Sequence, residues 1–297
     1  MKQYLLGFAL VLALIGCAQK GAEPKNTSQD HNDQEIFDSS KVSKDSKQSI
    51  PLRTENSVPL FNGDNIFISK EKNKAGKYDL RAVIDKIEFK GTSDNNNGSG
   101  SLEALKDDKS KIKMSISNDL NSITTETYDA DNKKVSSKVI KNQGALTEEN
   151  FKADKLESKK ITRSNDTTLE YTEMTDEENA TKVVETLKNS IKFEGNFVGN
   201  KTSVSVVEGT VTLTREIQDG KLKVFLNDSK SGSNKKTASW KEATQTLTIL
   251  VDSKKTKDLV FLKNGTITVQ NYDSSGTNLE GKAKEIKDLA ELKAALK

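Results

Sequence analysis

The sequence predicts a mainly all-β protein, a long antiparallel β-meander that ends in a single α-helix. Three observations carry this prediction. From residue 66 onward β-branched residues alternate with polar ones, most strictly in KIKMSIS over 111–117, which is the period of a half-buried strand. Turn-forming clusters such as DADNK, KNQGA and RSND separate these runs, at the spacing of about 8–12 residues expected of consecutive hairpins. The last fifteen residues, AKEIKDLAELKAALK, place Ile286, Leu289, Leu292 and Leu296 on one face at helical spacing.

The N-terminus reads as a secretory signal over 1–16. Met1 and Lys2 precede an apolar run from Tyr4 to Ile15, which falls well short of the ~20 residues of a membrane-spanning helix but fits the three-part signal layout. It closes on Leu14-Ile15-Gly16-Cys17, a bacterial lipobox. The pattern predicts cleavage between Gly16 and Cys17, with diacylglyceryl and acyl chains on the sulfur and amine of Cys17. Each buried methylene contributes about 0.8 kcal/mol, so several long chains anchor a protein stably where one does not. No other cofactor is expected. Residues 17–57 are rich in Ser, Asn, Asp, Gln and Lys without periodicity and read as a tether, with a root-mean-square reach of roughly 35 Å for a coil of about 40 residues.

Residues 58–190 are expected to form the N-terminal and central antiparallel sheet. Asn65–Ser69 reads as a strand, Tyr78–Phe89 as a second, and Gly91–Gly100 (GTSDNNNGSG) as a loop. Between Lys113 and Glu170 the strands carry Lys, Glu, Ser and Thr on both faces, as in SSKVIKN and TTLEYTE. An ordinary half-buried strand shows one clean apolar face, so this pattern predicts a sheet with water on both sides, held by cross-strand pairs worth ~0.2–1 kcal/mol each. Residues 175–188 fit either a helix opened by Thr175 and Glu178 as a capping box or another strand. From 191 to 297 the strands are more apolar, for example 203–207, 210–214, 246–251 and 266–269. They predict a barrel-like sheet whose open end is capped by a helix over 283–297.

Composition excludes much. Apolar residues make up 33% of the chain and charged residues 31%, against a usual quarter or so charged, and mean hydropathy is −0.69. The chain is ordered but core-poor. Its 47 basic and 44 acidic residues are interspersed, without the basic block of a nucleic-acid binder, so no nucleic acid is expected as a partner. The one histidine, His31, lies in the tether, and the one cysteine is Cys17. Ser/His/Asp, Cys/His, zinc and iron–sulfur sites are therefore not expected, and no phosphate-binding glycine loop occurs. Paired-carboxylate chemistry would want an aromatic-lined cleft, and Trp240 is the only tryptophan. The chain reads as a non-enzyme with no catalytic or metal-binding residue.

Several long segments carry a family resemblance: the leader through Lys20, SKEKNKAGKYDL (69–80), FKGTSDNNNGSG (89–100), ITRSNDTTLEYT (161–172), VVEGTVTLTREI (206–217), SKKTKDLVF (253–261) and ITVQNYDSSGTNLEG (267–281). Together they resemble the outer surface lipoproteins A and B of Borrelia, the Lyme-disease spirochaetes, over essentially the whole chain, with the B type nearer. Against the A-type pattern the tether is longer, Ala75 replaces a usual aspartate, and 173–180 diverges. The resemblance implies a single-layer central sheet between packed N- and C-terminal ends, a C-terminal helix, and strand over helix for 175–188. It also implies a lipid-anchored protein of the outer membrane at the cell surface, acting as an adhesin or shield toward tick-gut and host proteins and as an antibody target. A monomer is expected. The alternative is a small-ligand carrier using a C-terminal cleft, for which Arg163 of the ITR motif is the candidate lining residue unless it only pairs with a neighbouring carboxylate. Lys254, Lys255 and Lys257 on a polar turn are candidate antibody contacts. Lys297, with an ammonium and a carboxylate on one residue, is a candidate for the kringle domains of plasminogen.

Overall fold

The computed structural model describes residues 55–297. The signal segment, Gly16, Cys17, His31 and nearly all of the tether lie outside the described residues; the tether's expected last residues, 55–57, instead belong to the first strand, where they pair with 67–69. Sixteen strands follow one another as neighbours in a single antiparallel sheet: β1 (Glu55–Pro59), β2 (Asn65–Lys72), β3 (Tyr78–Ile84), β4 (Ile87–Ser93), β5 (Gly100–Leu105), β6 (Lys111–Ile116), β7 (Ser122–Tyr128), β8 (Lys134–Lys141), β9 (Leu146–Lys152), β10 (Lys155–Thr162), β11 (Thr168–Asp176), β12 (Asn179–Thr186), β13 (Lys192–Val198), β14 (Lys201–Glu208), β15 (Val211–Gln218) and β16 (Lys221–Asp228). A second sheet holds β17 (Lys236–Lys241), β18 (Thr246–Val251), β19 (Lys254–Phe261), β20 (Ile267–Tyr272) and β21 (Leu279–Ile286), again in chain order, and α1 (Leu289–Leu296) ends the chain.

Tight turns set this order. Asp85–Lys86, Ala153–Asp154, Gly199–Asn200, Asp219–Gly220 and Asp252–Ser253 each hold two successive residues at positive φ, the two-residue hairpin geometry whose twist matches that of the strands it joins. The first of these divides the run Tyr78–Phe89, expected as one strand, into β3 and β4. Its broken alternation marks a turn without glycine. The expected loop Gly91–Gly100 is shorter too, because β4 continues to Ser93. A Cβ at Gly91 would lie 1.9 Å from the Ser101 carbonyl oxygen, so this glycine lets two strands approach closely. The stretch 175–188 is strand as far as Thr186, turning between β11 and β12. Pairing of β12 with β13 carries the large sheet across residue 190 without a break.

Residues paired directly across antiparallel strands share a face, so the register can be followed through the whole sheet. One row runs Arg81, Lys90, Glu103, Lys113, Glu126, Ser137, Glu149, Lys159, Tyr171, Val183, Gly195, Val204, Arg215, Val224. It is solvated at the N-terminal end and, apart from half-buried Gly195, buried from Tyr171 on. The adjacent row, on the other face, starts with buried Leu80, Leu102 and Met114, passes through Lys138, Glu148, Lys160 and Glu170, and ends at exposed Phe225. The two hydrophobic cores therefore lie on opposite faces of one continuous sheet.

Between them the sheet is a single layer. From Thr124 to Asp166, Ser137 is the only buried residue. Here side chains support one another in the plane of each face. The Lys134 ammonium sits 2.8 Å from Glu126, which also accepts the Tyr128 hydroxyl at 2.9 Å. Lys134 lies 5.0 Å from the Phe151 ring centroid, and Lys111 5.0 Å from that of Tyr128. The Lys134 hydrogen bond, reinforced by that of Tyr128, holds the Glu126 carboxyl below its ordinary range despite partial burial. The opposite face carries the Lys160–Glu170 pair at 2.8 Å. Such contacts are worth ~0.2–1 kcal/mol each, so the layer's stability is spread over many small terms.

The C-terminal core is two-layered. Inward residues of β11–β16, among them Phe193, Val204 and Leu213, face Leu247, Ile249, Leu259 and Ile267 of the second sheet, and Leu292, Ala295 and Leu296 of α1 cover it. The helix is shorter than the expected 283–297, since residues 283–286 belong to β21. Asp288 starts it: its carboxylate accepts the Glu291 N–H at 2.8 Å, and Glu291 accepts the Lys287 N–H at 2.9 Å. This exchange is a variant of the capping box and fixes where the strand must give way to helix.

Asp228 clasps the end of the first sheet to the start of the second. It accepts the Lys236 N–H at 2.9 Å, the Thr210 hydroxyl at 2.6 Å and the Lys230 N–H at 3.0 Å. The backbone bond from Lys236, with the other two, holds its carboxyl down at about 2. A depressed carboxylate contributes stability that is complete above its unfolded value of about 3.9 and is lost as pH falls through the folded value. Urea titrations should therefore show the stability gap between the native chain and Asp228→Asn constant above about pH 5 and narrowing from pH 4 toward pH 2.

Candidate functional site

A cleft of about 510 Å³ opens beside the C-terminal core, lined among others by Arg163, Thr167, Glu185, Arg215, Phe261 and Thr266. Glu185 is an inward residue of β12 and Arg215 of β15, while Arg163 directly follows β10. The Glu185 carboxylate, with no exposed surface, accepts two hydrogen bonds from Arg215, at 2.7 and 3.0 Å, and one from Arg163 at 3.3 Å. This two-pronged geometry is the strong form of the arginine–carboxylate pair. Arg215 is held further between the Phe193 and Phe261 rings, 5.3 and 5.0 Å from their centroids. Burial pushes the Glu185 carboxyl upward, but the charge and hydrogen bonds of Arg215, then of Arg163, outweigh it and hold the group ionised, below its ordinary range.

Arg163 thus occupies both positions foreseen for it, cleft wall and partner of a carboxylate. Sequence reasoning missed Glu185 and Arg215. A signal was present: each stands at an inward position of an apolar alternation, Val183-Val184-Glu185-Thr186-Leu187 and Val211-Thr212-Leu213-Thr214-Arg215. Opposite charges at inward positions must find one another or be expelled. Two guanidiniums against one buried carboxylate, with Lys221, Lys263 and Glu242 also on the wall, leave the cleft with an excess of positive charge, suited to a small anion. Among the described residues no group of three or more metal-ligating side chains occurs, and no helix is long and apolar enough to cross a membrane.

Comparison with known proteins places the chain in a family. Residues 38–297 match the family profile described as Borrelia lipoprotein. The chain belongs to the Borrelia lipoprotein family. An outer surface protein B of Borreliella burgdorferi is 66% identical over 295 residues, covering 99% of each chain. A second outer surface protein B from the same species is 60% identical over 300 residues, covering 100% of both. The family resemblance of the sequence is thereby established, and the relatives bear the names of surface proteins rather than enzymes.

The lysine-rich surface is less uniform than the sequence suggests. Lys254 and Lys255 open β19 beside the Asp252–Ser253 turn and are exposed. Lys257 is not a free contact: it lies on the inward face of β19 opposite Ile249 and donates to the Ala295 carbonyl of α1 at 2.9 Å. Burial, with some repulsion from Lys236, lowers its ammonium below the usual range. The Lys297 ammonium pairs with Glu208 at 3.2 Å, and Lys293 approaches the same carboxylate at 3.8 Å. A protein that takes the Lys297 side chain must displace Glu208.

Proposed function

We propose that this family member is a lipid-anchored protein of the bacterial outer membrane, acylated at Cys17 and displayed through the tether that precedes β1, that meets tick-gut and host proteins as an adhesin or shield and serves as an antibody target. Full-length similarity to proteins named for the outer surface supports display. The observation that carries the binding role is the single-layer sheet, which offers two solvated faces of fixed charge pattern where an enzyme of this size would use its area for a core. A wet, lysine-and-glutamate surface suits steering and register in protein encounters more than tight apolar burial. Cells that display the chain are expected to retain proteins from tick-gut extract or host plasma that cells carrying Cys17→Ala do not. Equal retention by both contradicts the reading.

A second reading, a carrier of small anions, draws on the excess positive charge at Arg163 and Arg215. If it holds, small carboxylates or phosphate raise the melting temperature of the native chain and fail to raise that of Arg163→Ala. A screen with no shift in the native chain removes it.

A further inference from the structure

The outward face of the second sheet holds a groove that the preceding readings do not use. It encloses about 420 Å³, within the ~300–1,000 Å³ usual for small-ligand sites. Its floor includes the cross-strand row Thr248, Asp258, Gln270, three hydrogen-bonding side chains in line. Lys241, Lys255 and Tyr272 also line it.

Asp258 is pre-set. Although two lysines line the same groove, its carboxylate accepts the Thr248 hydroxyl at 2.7 Å and the Tyr272 hydroxyl at 3.2 Å. Each oxygen keeps a further lone pair for an incoming donor. The Gln270 amide nitrogen donates one of its hydrogens to the Gly281 carbonyl at 2.8 Å, and its oxygen offers a second acceptor on the row of Asp258. The Tyr272 ring is held by its hydroxyl and lies 5.5 Å below the Lys255 ammonium, within cation–π range. A carboxylate and an amide in line offer paired acceptors for vicinal hydroxyls. An immobilised tyrosine gives a face for ring C–H groups, and two ammoniums provide charge for an acid.

We propose that this groove binds an acidic saccharide of the uronate class, with Asp258 and Gln270 taking ring hydroxyls and Lys255 the carboxylate. The inference is independent of the display reading, because the groove would bind such a sugar wherever the chain resides. The test is calorimetric titration of the full chain with a hyaluronan tetrasaccharide as probe, its carboxyl-reduced form and a polyglutamate peptide. Expected are saturable binding of the tetrasaccharide, about tenfold weaker binding of the reduced form, none of polyglutamate, and about tenfold losses in Asp258→Asn and Lys255→Ala with unchanged near-ultraviolet dichroism. Should Asp258→Asn misfold, Lys255→Ala, altered on the exposed rim, decides alone. Absence of binding, equal binding of the reduced form or of polyglutamate, or unchanged affinity in the folded variants overturns the proposal.

Discussion

Replacing Arg215 with alanine is expected to destabilise the protein by about 3–5 kcal/mol, the usual cost of breaking a buried ion pair from one side. Glu185 is wholly buried and takes its two shortest hydrogen bonds from this guanidinium. Once Arg215 is gone, only the more exposed Arg163 remains, at 3.3 Å, and the carboxylate is left largely desolvated. The variant also loses packing against the Phe193 and Phe261 rings. The double variant Glu185→Leu with Arg215→Met is the informative control, because replacing a buried pair by apolar groups of similar volume is often neutral or stabilising. Urea unfolding followed by circular dichroism should show the single variant far less stable than the double. A single variant within about 1 kcal/mol of the native chain would contradict the reading of this network as one buried unit.

Phe193→Ala should cost a similar amount, about 3–5 kcal/mol for a buried phenylalanine, but in a restricted place. Phe193 is fully buried in the C-terminal core, while Ile66 is fully buried in the N-terminal one. These cores sit on opposite faces and are separated by strands with almost no buried side chains. Local stability can therefore differ between the two ends. Hydrogen exchange on Phe193→Ala is expected to show lost protection in β13–β16 and β17–β20 with β2–β6 little changed, and Ile66→Ala the reverse. Their effects should add, as expected for distant sites without shared partners. Uniform loss of protection from either substitution would mean that the single layer couples the two ends tightly.

Much of this architecture was legible in the sequence. Strict alternation marked β6, and the two-faced polar strands marked the single layer because a residue's polarity reports which faces are wet. The spacing of Leu289, Leu292 and Leu296 marked the helix. Other features were hidden for physical reasons. The Asp85–Lys86 hairpin has no glycine or asparagine to announce positive φ, so β3 and β4 read as one strand. The helix start was hidden because Ala283–Ile286 is compatible with either periodicity until the Asp288 cap is seen. The change of buried face arises only from cross-strand register, which no local pattern encodes. At the cleft, Arg163 was visible through its motif, whereas Glu185 and Arg215, 30 residues apart in sequence, looked like ordinary charges on strands. Lys257 looks like a surface lysine in the sequence, because a β-bulge beside it shifts the face on which it falls.

The central claim, that this chain works as a lipid-anchored surface protein, stands on Cys17. Its most direct test is mass spectrometry of the mature protein purified from spirochaetes that express it. The account predicts an N-terminus at Cys17 bearing a diacylglyceryl group on sulfur and an acyl chain on the amine, and a protein shaved from intact cells by protease. A mature chain that begins elsewhere, or that carries an unmodified Cys17, would contradict it.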